Sequence, residues 1–154
     1  MSLWDWAVRA YAADGVQIAC LDLQDAQGQN VPLLLWAAWT AATGRALDAD
    51  AIDAACDTAR VWQDTAIAPL REVRRALKTR RPDMDDAARE VVRLQVKSVE
   101  LESERQLLLA LEALGPDQAG PAKPLLPALV AVSRVWSDVT PRTALSLLAD
   151  RLPG

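Results

Sequence analysis

The sequence predicts an all-α protein, and three observations support that class. Ala and Leu supply 29 and 23 of the 154 residues, and both residue types favour helix. There is no Phe and only one Tyr, so residues typical of strands are few. The glycines and most prolines fall between apolar-periodic segments, as turns between helices require. We therefore expect a compact bundle of about six helices followed by a C-terminal helical hairpin.

The bundle is expected to surround a central helix at residues 31–43, VPLLLWAAWTAAT. Asn30 is a suitable N-cap, and Gly44 follows the last helical residue. These thirteen residues contain no charge, and a helix that is apolar on every face is normally enclosed by others. A membrane span needs roughly 20 apolar residues, so this stretch predicts a buried helix within a protein core.

The remaining segments predict helices on both sides of this centre. Ser2 and Asp5 form a capping-box pattern that opens the first helix. Pro69 predicts a kink or a new start between the fourth helix and the next. The first two helices are predicted at 3–13 and 16–26, and the fourth helix begins at 48–50. A further segment ends near residue 80, and a long helix follows at about 84–114.

The long helix has an apolar stripe at alternating spacings of three and four residues. A helix of that length projects from a compact domain or pairs with another long helix. It therefore offers one route to a homodimer. The stripe contains Ala87, Val91, Leu94, Leu101 and Leu108, with Ser98 and Arg105 interrupting it.

Composition divides the chain into three parts. Residues 1–115 form the predicted helical core domain, and residues 116–124, PDQAGPAKP, form a Pro/Gly linker. Residues 125–154 form the predicted hairpin. Its first helix is strongly apolar, so it must pack on the core, on a second copy of the chain, or on another partner.

Charge and residue usage exclude several classes of protein. The net charge of −4 gives no general attraction to nucleic acid or to an anionic membrane. The chain has no His and no phosphate-binding loop, so we expect no cofactor or metal and favour a non-enzymatic role. Cys20 and Cys56 lack metal-site spacing and suggest a reducing compartment. The opening residues lack the features of a signal peptide, which makes the cytoplasm the expected location.

The strongest candidate site is a basic segment. Residues 66–82 contain six bases and one acid. Helical spacing places four of the bases on one face, and a second basic stripe follows on the long helix. Such a face could bind an acidic protein partner, nucleic acid or a phosphate ligand; alternatively, it is a solvated surface neutralised by the rest of the chain. The two stripes contain Arg71, Arg74, Arg75 and Lys78, then Arg89, Arg93 and Lys97.

Clustered aspartates suggest an alternative chemistry. Carboxylates on helices can hold Mg²⁺ in enzymes that act on diphosphates, because this cation prefers oxygen ligands. Most of them lie opposite the apolar faces of their helices, which favours solvation instead. The candidates are Asp22, Asp25, Asp53 and Asp57. The six tryptophans are interpreted mainly as core, with a ligand pocket or an interface as the alternative.

One combination of motifs resembles a known family. The residues Trp4-x-Trp6, Cys20-Leu21-x-Leu23-Gln24-Asp25 and Leu34-Leu35-Trp36, with Trp39 and Gly44-Arg45 after them, resemble a family of small proteobacterial proteins described as a domain of unknown function. The later Pro69-Leu70-Arg71 and Arg74-Arg75 also fit its pattern. The likeness spans about residues 3–110 and implies an all-helical fold without supplying an activity, cofactor or substrate. It also draws attention to Gln24 and Asp25 as polar structural residues, with Gln24 expected to be buried where the second and third helices cross.

Overall fold

The computed structural model describes residues 1–154 and confirms the all-α prediction. The helices are α1 (Leu3–Ala12), α2 (Val16–Asp25), α3 (Val31–Ala42), α4 (Ala49–Trp62), α5 (Ala68–Ala76), α6 (Asp86–Leu114), α7 (Leu125–Trp136) and α8 (Arg142–Arg151), with a π-helical turn (Gln63–Ile67) between α4 and α5. No helix combines the length and the apolar character that crossing a membrane would require.

Helix α3 is the centre of the bundle, as its sequence predicts. Eleven of its residues are buried, and it contacts α1, α2, α4, α6 and α7. The side-chain carbonyl of Asn30 accepts a hydrogen bond from the Leu33 N–H at 3.0 Å and caps the helix. Gly44 ends it with a φ of +67°, a conformation that glycine adopts without steric cost.

The segment 116–124 lies against the C-terminal end of α3. The Gly120 N–H donates to the Thr43 carbonyl at 3.0 Å, and the Lys123 N–H donates to the Ala41 carbonyl at 2.8 Å. Carbonyls in the last turn of a helix have no partner within the helix. The extended segment therefore supplies two of the donors that the end of the buried helix lacks.

The C-terminal hairpin, α7 and α8, packs on the same hydrophobic core as the helices before it. Leu129, Val132 and Leu145 are fully buried in one continuous cluster with α3 residues such as Trp36. Helix α7 contacts α3 and α4, and α8 contacts α2. The apolar character of the hairpin is thus satisfied within a single copy of the chain.

Helices α4 and α5 form one continuous rod through the π-helical turn. In a regular α-helix, Pro69 would lack a donor, and its ring would clash with the carbonyl four residues earlier. The wider π turn directly precedes this proline, and its Ala68 N–H donates to the Gln63 carbonyl five residues back. The sequence position of the irregularity is as predicted, but the chain continues as a helix.

Helix α5 and the first two thirds of α6 lie outside the hydrophobic core. Helix α5 has no buried residue, and the core cluster contains no residue from 68 to 106. Helices α5 and α6 pack against each other. We call residues 68–106 the arm.

Candidate functional site

The predicted basic face is divided by the packing of the arm. Arg71 and Arg74 point towards α6, where both bind Glu100, whose side chain is only 8% exposed. The Arg71 Nε lies 3.2 Å from one Glu100 oxygen, and the Arg74 Nε contacts the other. Arg71 also reaches Glu104 at 3.5 Å. Arg71 and Arg74, two of the predicted binding residues, are therefore paired with acids of α6.

Two of the three cations of the second predicted basic stripe, Arg89 and Arg93, are paired within α6, whereas Lys97 is exposed and forms no ion pair. Arg89 and Arg93 share the helix face of Glu100, because spacings of three and four residues return to one side. Arg89 binds Asp86 at 2.7 Å and Arg93 binds Glu90 at 2.6 Å. Helices α5 and α6 pack against each other, and the charges of Arg71, Arg74, Arg89 and Arg93 are compensated by carboxylates of α6.

The free end of the arm retains exposed cations. Arg75 binds Asp25 at 2.8 Å and Arg80 binds Asp86 at 2.9 Å, and all four of these side chains are about half exposed or more. Lys78 and Arg81 are exposed and form no ion pair. We call Arg75, Lys78, Arg80 and Arg81 the basic tip.

Gln24 and Asp25 connect α2 to α5. The Gln24 Nε2 donates to the Asp25 Oδ1 at 3.1 Å, and Asp25 in turn binds Arg75. The hydrogen bond from Gln24, together with the Arg75 guanidinium, lowers the pKa of Asp25. Gln24 is only half-buried, so it does not hold the crossing of α2 and α3 as its sequence position suggested.

Gln29, which sequence reasoning did not single out, and Asn30, which it predicted only as an N-cap, make buried polar contacts near that crossing. The Ser133 hydroxyl donates to the Gln29 Oε1 at 2.9 Å, and the Asn30 Nδ2 donates to the Gln63 Oε1 at 3.0 Å. Gln29 and Asn30 are buried. The sequence shows Gln29 and Asn30 in a polar turn before α3, but their partners, Ser133 on α7 and Gln63 in the π turn, are distant in sequence.

The predicted carboxylate clusters do not converge. Asp22, Asp25, Asp53 and Asp57 are all exposed, and the structure contains no group of three His, Cys, Asp or Glu side chains that could hold a metal ion. The magnesium-dependent enzyme requires such a group. That alternative therefore has no site in this structure.

The tryptophans serve mainly as core, as interpreted from the sequence. Trp6, Trp36, Trp39 and Trp136 are buried, whereas Trp4 is half-buried. The Trp136 N–H donates to the Gly28 carbonyl at 2.9 Å. The indole N–H groups of Trp36 and Trp39 are buried without a hydrogen-bond partner.

A pocket of about 360 Å³ opens between α1, α3 and α6. Its walls are mainly apolar, and they include Trp4, Tyr11, Pro32 and Leu101. Glu104 is the only carboxylate in the lining. Burial is the largest cause that raises the pKa of Glu104 above 4.5, and the Arg71 guanidinium opposes it.

We expect Glu104→Gln to change the pH dependence of stability. A carboxyl whose pKa is raised on folding stabilises the folded state below its unfolded pKa and loses that contribution as pH rises through the folded pKa. The Gln variant should therefore gain stability relative to wild type as pH rises above 4.5. Urea unfolding over a pH series measures the difference. If the difference in stability between the variant and wild type stayed constant across that range, burial of the Glu104 carboxyl could not be the cause of the pH dependence.

The two cysteines are buried and unpaired. Burial is the main cause that raises the pKa of both thiols to about 11. A thiol with such a pKa is protonated near neutral pH and is a poor nucleophile. The structure therefore gives neither cysteine the environment of a reactive residue.

Comparison with known proteins adds one finding. The family described as "Protein of unknown function (DUF2390)" matches residues 2–111 of the chain, which agrees with the resemblance seen in the sequence. The comparison with curated proteins and the comparison with solved structures found no match.

Proposed function

Because this chain belongs to the DUF2390 family of unknown function, we propose a function from its surface: a non-enzymatic interaction protein that docks an acidic partner on the basic tip of the arm. The proposal keeps Arg75 and Lys78 from the predicted basic face. Arg71 and Arg74 are instead proposed to hold α5 against α6, since both already bind Glu100.

The observation that supports this proposal is the pair of exposed cations without partners at the free end of the arm. Lys78 and Arg81 form no ion pair, whereas seven of the other eight cations of residues 71–105 form at least one, the exception being Lys97 on α6. Exposed charges steer the approach of a partner of opposite charge and set the register of the complex. An acidic surface would supply the missing counter-charges.

The ion pairs at the base of the tip favour docking by fixing its shape. Glu100 lies between Arg71 and Arg74, and bonds that involve two ionised groups are stronger than neutral ones. Asp25 ties Arg75 to α2 in addition. A surface that is ordered before binding loses less conformational entropy when it docks.

Nucleic acid and phosphate ligands would also bind exposed cations, but the arm lacks the aromatic side chains that single-stranded nucleic acid commonly needs. Residues 68–106 contain no aromatic side chain, and single-stranded nucleic acid is commonly held by stacking of bases on aromatic rings. An acidic protein surface needs no such platform. We therefore favour a protein partner over nucleic acid, and the experiment below distinguishes the two.

We expect the double substitution Lys78→Glu and Arg81→Glu to abolish docking. Both side chains are exposed and unpaired, so the fold should be unchanged, which circular dichroism would check. Cross-linked capture from a nuclease-treated bacterial lysate would compare this variant with wild type. The expected result is an acidic protein that wild type retains, that the variant loses, and whose retention weakens as salt rises.

The matched control reverses two exposed, unpaired cations elsewhere, Arg134 and Arg142. Arg134→Glu with Arg142→Glu imposes the same change of net charge and should leave capture intact. Equal loss in both variants would mean that total charge, and not the tip, governs retention. Capture of nucleic acid alone before nuclease treatment, with no protein afterwards, would overturn the proposal.

A further inference from the structure

The long helix exposes apolar side chains on the side that faces away from α5. Val91, Leu94 and Leu101 have 56%, 52% and 58% of their surface exposed. At 100° per residue, they lie about 100° to 180° around the helix from Glu100, which faces the arginines of α5. Large apolar residues exposed in a row on one helix face mark an interaction surface.

The spacing of this stripe is that of a coiled-coil seam. Positions 87, 91, 94, 98, 101, 105 and 108 alternate steps of four and three residues, so they occupy the d and a positions of a seven-residue repeat. Val91 falls at an a position, and Leu94 and Leu101 fall at d positions. In a parallel coiled coil, a β-branched residue at a with leucine at d favours an assembly of two helices.

The charges beside the seam fit the same arrangement. Lys97 occupies a g position and Glu102 the following e position, and both are exposed. In a parallel pair, a g residue of one helix faces the next e residue of the other. Lys97 would meet Glu102 of a second copy twice, once on each side. An antiparallel pair would instead bring the two Lys97 side chains together.

We propose that α6 pairs in parallel with α6 of a second copy of this chain along residues 87–101. The helix is already formed in each copy, so pairing would not have to nucleate it. The seam lies on a different side of α6 from α5 and includes no residue of the basic tip. The pairing is thus independent of the proposed docking function, and the failure of one does not imply the failure of the other.

The neighbouring residues set the end of the paired region. Arg105, the next a position, folds over the ring of Trp4 at 5.3 Å and approaches Glu102 at 3.6 Å. Leu108, the next d position, is buried by its own chain, with 4% exposed. The seam available to a second copy therefore comprises about two heptads, and we expect a dimer that dissociates on dilution.

Sedimentation equilibrium over a series of concentrations tests the pairing. Wild type should rise from 16.7 kDa to twice that mass as concentration increases. Leu94→Lys should remain at the single-chain mass. The matched control is Leu147→Lys on α8, because Leu147 is 49% exposed against 52% for Leu94, and it should dimerise as wild type does. A wild type that stays monomeric, or a Leu94→Lys variant that still dimerises, would overturn the proposal.

A charge exchange tests the parallel orientation. Lys97→Glu and Glu102→Lys should each weaken dimerisation at least severalfold, because each places like charges opposite one another across the seam. The double variant Lys97→Glu, Glu102→Lys should restore the wild-type dissociation constant. Failure of the double variant to restore the dimer, or single variants that behave as wild type, would exclude the parallel pairing even if Leu94→Lys abolishes the dimer.

Discussion

Gly44→Ala should destabilise the fold by about 3 kcal/mol, combining left-handed strain of roughly 1–2 kcal/mol with the loss of one or two hydrogen bonds. Gly44 has a φ of +67°, and a Cβ there would clash with the carbonyl group of Gly120. The segment 116–124 would have to move away from α3. Its hydrogen bonds to Thr43 and Ala41 would then be weakened or lost.

Gly28→Ala is the matched control for this prediction. Gly28 has a similar φ of +64°, but a Cβ there meets nothing within 4 Å. It should lose only the conformational part, about 1–2 kcal/mol. Urea unfolding followed by tryptophan fluorescence measures both variants. Equal losses would show that the close approach of Gly44 and Gly120 contributes nothing to stability.

Glu100→Ala should destabilise the chain by about 2–3 kcal/mol. Removal of one partner from a buried ion pair typically costs about 3–5 kcal/mol, because the remaining charge is left buried and unpaired. The expected loss is smaller because the side chains of Arg71 and Arg74 are 15% and 22% exposed and keep partial access to water. Arg71 also retains its contact with Glu104.

The comparison for this substitution is Glu90→Ala, which also removes a glutamate of α6 from an arginine. Glu90 is 49% exposed, and an ion pair between exposed side chains contributes little to stability. Hydrogen exchange should locate the extra loss of Glu100→Ala in α5. If the two variants lost the same stability, or if α5 kept its protection, the cluster around Glu100 would not be what holds the arm together.

The sequence was sufficient for those parts of the fold that depend on local signals. Asn30, the uncharged run after it and Gly44 define α3 without reference to the rest of the chain. The same holds for α6, which spans Asp86–Leu114 against the predicted 84–114. Caps, turn residues and periodicity act over one or two turns of helix, so a single sequence carries them in full.

The contacts that divide the basic face depend on distances along the chain that no local pattern encodes. The spacing of Arg71, Arg74, Arg75 and Lys78 predicted one shared helix face, but α5 ends at Ala76 and Lys78 lies in the turn beyond it. Which of them faces Glu100, 26 residues beyond Arg74, depends on how α5 is rotated against α6. For the same reason, the basic tip could be recognised only after Arg71 and Arg74 were seen to be occupied.

The π-helical turn determines this rotation. A π turn amounts to one extra residue inserted in an α-helix, so removal of a single residue from Gln63–Ile67 would restore regular winding. Helix α5 would then turn by about 100° and retreat by about 1.5 Å relative to α4 and to α6, which packs on α4. Arg71 and Arg74 would swing away from Glu100. Substitutions at the exposed positions of this turn should therefore be tolerated. A deletion of one residue should instead change which cations of α5 contact α6 and which remain free.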